Sequence, residues 1–150
     1  MTHTYAATLS WQGSTRDGYR SYSRTHAASA PPAEAALSLT ADPKYRGDAS
    51  QLNPEQLLLM SASSCQLLSF LAEAALRKVD VLGYDDAAEA FMDDTDGPMR
   101  ITRIVLRPVI RVAVGTDVDE VVRLVHRGHD LCFIANSLTS TIEIEPRIVF

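Results

Sequence analysis

The sequence predicts an α+β domain with antiparallel sheet. Two observations carry this: alternating segments cluster ahead of the first helix instead of interleaving with helices, and the rest reads as strands, a second helix and a closing strand. The expected order is β-β-β-α-β-β-α-β over a single domain spanning 1–150. A chain of this length removes roughly two-thirds of its unfolded surface from water, enough for a real core.

Each element has a local cause. Residues 5–11 alternate and read as a strand, Gln12 to Gly18 as a polar turn, and Tyr19 to Ala27 as the returning strand of a hairpin. Pro31 and Pro32 break the pattern, a short third strand follows over Ala36–Thr40, and Lys44 to Leu52 is a polar loop. Asn53, Pro54 and Gln56 form a helix start: a cap, a proline at the first helical position and a capping-box glutamine. The helix is expected to run to about Lys78, apolar on nearly every face, which marks a buried central helix. Val79 to Met92 supplies two strands' worth of chain, ending in a turn over 93–98. Ile101 to Val114 is one long β-branched run. Asp117 or Thr116 caps a second helix, which Gly128 ends or bends; a further turn or two over His129–Leu138 carries Cys132, and Thr141 to Val149 closes the chain as a strand.

Fourteen basic residues against nineteen acidic ones give a net charge of −5, with no basic block, so nucleic-acid binding is not expected. Arg100, Arg103, Arg107 and Arg111 read as a solvated strand face. The start has no charged n-region or apolar h-region, and the serines and Glu73 of the long helix make it too polar for lipid; a cytoplasmic protein without membrane contact is the expectation. Trp11 and Phe70 are expected in the core.

The two cysteines are Cys65, in the long helix, and Cys132. Their number and setting argue against a structural disulfide framework, and no close ligand pairs suggest a metal. An apolar helix raises a thiol's pKa by desolvation, so a reactive Cys65 needs a positive group brought to it. An arginine suits, and Glu55 could orient it, although ten residues of helix, roughly 15 Å, separate Glu55 from Cys65. Glu55 also has a purely structural reading, as an acid in the first helical turn. His129, one turn before Cys132, reads either as a tuner of that thiol or as a helix-end cap.

The segment from Asn53-Pro54-Glu55 to Cys65 resembles the peroxidatic motif of the OsmC/Ohr family, and His129 to Leu138 resembles its resolving-cysteine segment. The resemblance extends over nearly the whole chain and implies the OsmC-like fold, an intertwined homodimer with active sites near the subunit interface. It implies a thiol peroxidase reducing organic hydroperoxides in oxidative-stress defence, with Cys65 as peroxidatic and Cys132 as resolving cysteine. No cofactor is implied; the reductant would be an external dithiol, of lipoyl type or carried on a lipoylated protein. Glu55 matches the family's glutamate, and its arginine partner would be Arg46, with Arg16 second and Arg24 third. The chain departs from the family where Phe133 follows Cys132 in place of the frequent proline, and again in Gln66-Leu67-Leu68 after Cys65. Two other readings use the same residues: a redox-sensing or stress protein with little turnover, and a non-catalytic module binding apolar ligands beside the long helix. Independently of the resemblance, a helix apolar on nearly every face predicts a two-fold homodimer that covers it.

Overall fold

The computed structural model describes residues 1–93 and 97–150, so the middle of the turn expected over 93–98 lies outside the described residues. The chain falls into two compact units, Met1–Leu57 and Leu58–Phe150.

The first unit is a three-stranded antiparallel sheet of β1 (Thr8–Ser10), β2 (His26–Ser29) and β3 (Ala36–Leu39). The predicted hairpin shrinks to these short strands because the segment before β2 is held by side chains instead. Arg24 stacks its guanidinium over the rings of Tyr22 and Tyr19, at 3.8 and 4.6 Å, and donates to both of their carbonyls. Trp11 is not core: it is 39% exposed, meets Tyr22 edge-on and donates Nε1–H to the Ser23 carbonyl at 2.8 Å. A short 3₁₀ turn over Pro43–Tyr45 interrupts the expected loop.

The helix α1 (Pro54–Leu76) starts as its sequence demands: Gln56 N–H donates to Asn53 Oδ1 at 2.9 Å, and Asn53 N–H to Gln56 Oε1 at 3.0 Å. It ends in a Schellman motif. Val79 N–H reaches the Ala74 carbonyl, Lys78 N–H reaches the Ala75 carbonyl, and Lys78 itself sits at φ 59°. Only one stripe of α1 is buried, through Ala62, Gln66, Phe70 and Ala74, whereas Met60, Leu68 and Leu76 are exposed. The expectation of a helix buried all round is thus corrected for the single chain. By length and composition α1 is also apolar enough to cross a bilayer, which corrects the judgement drawn from its serines. Its packing against sheet and second helix makes it a core element of the second unit.

In that unit β4 (Val81–Asp86), β5 (Glu89–Phe91), β6 (Arg103–Leu106), β7 (Pro108–Val112), α2 (Val118–Leu131), β8 (Thr141–Ile144) and β9 (Arg147–Val149) follow α1. They form two three-stranded sheets, ordered β4-β7-β9 and β5-β6-β8. The sheets are mixed, not wholly antiparallel: β6 and β8 pair in parallel, as do β7 and β9, because α2 carries the chain back as a crossover. The two long runs read as single strands are each divided, at Arg107-Pro108 and at Glu145-Pro146, where a proline removes a ladder donor. At the first break Arg107 N–H finds Asp86 Oδ1 at 2.7 Å, and Ser63 on α1 donates to the other oxygen of that carboxylate. The strand arginines are solvated as expected: Arg107 pairs with Glu89 and Glu145, and Arg103 with Glu143.

Two apolar clusters fix α1 on the sheets. Phe70 and Ala74 pack with Ile110 and Val112 of β7 and Val121, Leu124 and Val125 of α2; Ala62 packs with Ile104 and Leu106 of β6. Asp117 caps α2, its Oδ1 accepting from the Asp119 and Glu120 amides. Gly128 does not end α2; it lies buried inside it. A Cβ there would sit 2.8 Å from the Phe70 backbone nitrogen, so this glycine is where the helices touch backbone to backbone.

Candidate active site

Cys65 lies one to two turns before Phe70 on α1, and Cys132 is the residue at which α2 stops. The helices touch where Gly128 meets Phe70, and the Cys132 end of α2 lies beside Cys65. Cys132 is therefore not carried on a helical turn, as the sequence suggested; it caps α2, donating its N–H to the His129 carbonyl, and the chain turns sharply before a short 3₁₀ segment over Ala135–Ser137.

The two thiols are neighbours close enough to influence each other's ionisation, and both cysteines are free. Cys65 is half-buried, and Cys132 is 1% exposed. Burial alone pushes the Cys65 thiol up. It is outweighed by bonds from the Ile134 N–H, the Cys132 thiol, the Phe133 N–H and the Ser69 hydroxyl, so Cys65 ionises below the usual thiol range. Cys132 moves the other way: burial raises it and the neighbouring Cys65 sulfur adds to the rise, against a bond from the Ala135 N–H at 3.4 Å. One sulfur is thus disposed to carry the charge and the other to keep its proton.

The alignment is supported from the side by Gln66. Its side chain is 1% exposed and donates Nε2–H to the Val125 carbonyl at 2.9 Å, tying the residue next to Cys65 to α2. Sequence reading has Gln66 as a polar interruption of the apolar helix and as a family departure, without a structural role. His129 contributes its backbone carbonyl to the cap, while its ring Nδ1 is buried without a partner.

Among the described residues Glu55 forms no ion pair with Arg46, Arg16 or Arg24. Glu55 lies in the first turn of α1, ten residues ahead of Cys65 on an unbroken helix, and its Oε2 is buried without a partner. Arg46 is exposed at φ 68° after the Pro43–Tyr45 turn, and Arg16 is exposed in the Gln12–Gly18 loop. Neither forms an ion pair among the described residues. Arg24 is engaged by the two tyrosines of its own segment.

The fold has close counterparts among solved structures. An OsmC-like protein of unknown function from Vibrio cholerae superposes with a TM-score of 0.87 at 24% identity, covering 97% of this chain and 99% of that one. An OsmC-like protein from Mycoplasma pneumoniae gives 0.78 at 17% identity, with 100% of both chains covered. An organic hydroperoxide resistance protein from Elizabethkingia anophelis gives 0.73 at 16% identity, covering 99% of this chain and 96% of that one. None of the curated proteins matches the sequence. The family model for OsmC-like proteins matches residues 47–147, a stretch that holds Glu55 and both cysteines. With that match and the shared fold, the chain belongs to the OsmC-like protein family.

Proposed function

We propose that the protein is a thiol-dependent peroxidase that reduces organic hydroperoxides, with Cys65 as the attacking and Cys132 as the resolving thiol. The observation that carries this reading is a pair of neighbouring free thiols of opposite acidity: Cys65 shifted down, Cys132 shifted up. A peroxidase of this kind needs one thiolate to attack and one thiol held in reserve.

The steps balance. The Cys65 thiolate attacks the distal peroxide oxygen; an S–O bond forms, the O–O bond breaks, and its electron pair leaves on the alkoxide, which takes a proton to become the alcohol. Cys65 is now a sulfenic acid. Cys132 sulfur attacks it, and the Cys132 proton leaves with the hydroxyl as water, closing a Cys65–Cys132 disulfide. An external dithiol, of the lipoyl class, returns both thiols by exchange and is itself oxidised to a disulfide. No cofactor takes part.

Glu55 and one arginine complete the site in this reading. A buried carboxylate oxygen without a partner calls for a cation. Arg46 is the first candidate and Arg16 the second, supplied by either protomer of a homodimer. Protein and peroxide meet in the cytoplasm, away from membrane and nucleic acid.

A panel of alkyl and fatty-acid hydroperoxides with dihydrolipoamide as reductant tests the proposal. Turnover is expected to fall as the pH drops through the Cys65 midpoint, since only the thiolate attacks, and to level off above it. Cys65→Ser, nearly isosteric, is expected to abolish consumption with the fold intact; turnover retained in that variant refutes the mechanism.

A further inference from the structure

Cys132 sits under a roof made by its own turn. The Ala135 N–H donates to Cys132 Sγ at 3.4 Å, so the chain folds back over the sulfur, and the residue is 1% exposed. The turn is latched by bonds that involve no sulfur. Asn136 donates its N–H to the Cys132 carbonyl and its side-chain Nδ2–H to the Asp130 carbonyl, each at 3.0 Å. The Ser137 hydroxyl donates to the Phe133 carbonyl at 2.7 Å, and the Ser137 N–H to the Ile134 carbonyl at 3.0 Å. The Ile134 side chain anchors the turn on the cluster of Ala62, Ile104 and Leu106. Cys65 is only half-buried, with Ser64 and Leu68 beside it on α1 exposed. A second copy of the chain can cover Cys65 further, but added atoms cannot uncover Cys132.

We propose that the external dithiol enters the Cys65–Cys132 disulfide at Cys65, with Cys132 as the leaving sulfur. The proposal rests on the reading of the two cysteines as a peroxide-driven pair and names the sulfur that meets the reductant. Exchange depends on which sulfur is attacked and on access to it. At Cys132 the approach is filled by the latched turn, whose bonds do not depend on the redox state of the sulfur. Leaving-group preference runs the other way, since Cys65 is the more acidic thiol and a more acidic thiol leaves faster. That preference chooses between sulfurs that can both be reached, and here only one can. The steps balance. A reductant thiolate attacks Cys65 Sγ; a reductant–Cys65 S–S bond forms and the Cys65–Cys132 bond breaks. Its electron pair leaves on the Cys132 sulfur, which accepts the Ala135 N–H and takes up the proton the reductant thiol lost. The reductant's second thiolate then attacks the reductant's first sulfur, closing the reductant disulfide and releasing the Cys65 thiolate.

A monothiol cannot take the second step, so it marks the sulfur it enters. The unmodified protein is oxidised with cumene hydroperoxide in one sample and in another with diamide, which joins thiols without peroxide. Each is mixed with β-mercaptoethanol, quenched in acid at successive short times and mapped by peptide mass spectrometry. The first adduct is expected on the Cys65 peptide, one β-mercaptoethanol per chain, with Cys132 recovered as a free thiol. A first adduct on Cys132 with Cys65 free overturns the proposal. A disulfide closed by diamide but not by peroxide, with the adduct on Cys65, keeps the point of entry and loses the peroxidase reading. Peroxide turnover with the adduct on Cys132 loses the point of entry alone. A protein in which neither oxidant joins the two cysteines overturns both.

Discussion

At the scale of single residues, what decides the chemistry is that two identical side chains have been made different. Backbone and hydroxyl donors lower Cys65; burial and the neighbouring sulfur raise the deeper Cys132, against the Ala135 and Ile134 N–H groups. If Cys132 exists to resolve the Cys65 sulfenic acid, its removal should not prevent the first attack. Cys132→Ser is expected to consume about one equivalent of peroxide and then stop, with Cys65 gaining two or three oxygens as it climbs to the sulfinic and sulfonic acids. Intact-mass spectrometry reads this directly. Sustained turnover of that variant with a dithiol would show the reductant attacking the sulfenic acid itself. The cysteines and the spacing back to Asn53-Pro54-Glu55 were legible in the sequence because they form a contiguous motif. The donors were not: an N–H belongs to every residue but proline, and its direction is set by a turn no side chain announces.

At the scale of elements, the site depends on how closely α1 and α2 approach. The contact at Gly128 is backbone against backbone, with the added Cβ of any other residue falling 2.8 Å from Phe70 N and 2.9 Å from Phe70 Cα. Gly128→Ala must push the helices apart, and overpacking of this kind costs about 2 kcal/mol. The same displacement moves the end of α2, four residues on, away from Cys65. Chemical denaturation should show the loss of stability, and rapid quench after peroxide should show slower disulfide closure with the first oxidation less affected. Alanine tolerated in both assays would mean the helices do not touch as described. Sequence reading has Gly128 ending or bending the helix, since glycine commonly stands just past a helix end; only the facing helix distinguishes those roles from a contact. Pro108 and Pro146 were signals passed over in favour of the β-branched residues around them, and they mark the divisions of both long strand runs.

At the scale of the whole molecule, α+β class and family were legible because the capping box, the long apolar helix and the capped second helix all behave as their residues demand. The parallel pairings were not, since which strand lies beside which is decided by a crossover that local pattern does not encode. Exposed apolar surface remains in each unit. Leu68 and Leu76 of α1 are 64% and 76% exposed, and Leu9 of β1 is 68% exposed. Leu68 and Leu76 stand two turns apart on α1, apolar surface of the kind a second copy would cover. We predict a two-fold homodimer, seen by light scattering as a species of twice the chain mass that persists at micromolar concentration. A monodisperse monomer there contradicts it. Substituting Leu68 and Leu76 together by glutamate is expected to shift the equilibrium toward monomer.

The turn over Cys132–Ser137 has a thermodynamic consequence on the return half of the cycle. The hydrogen bonding that lowers the Cys65 thiol, and the Ala135 N–H donated to Cys132, favour sulfur that is reduced and, at Cys65, ionised; a disulfide sulfur is a far poorer acceptor. Whatever stabilises the dithiol relative to the disulfide raises the reduction potential of the couple. The bond closed between Cys65 and Cys132 should therefore be oxidising by comparison with structural disulfides, whose potentials lie below about −300 mV. Equilibration against dithiothreitol buffers, read by differential alkylation, is expected to return a less negative value. An enzyme poised in this way is reset by weak cellular thiols, and the limit on its throughput passes from the strength of the reductant to how quickly one can reach the sulfur.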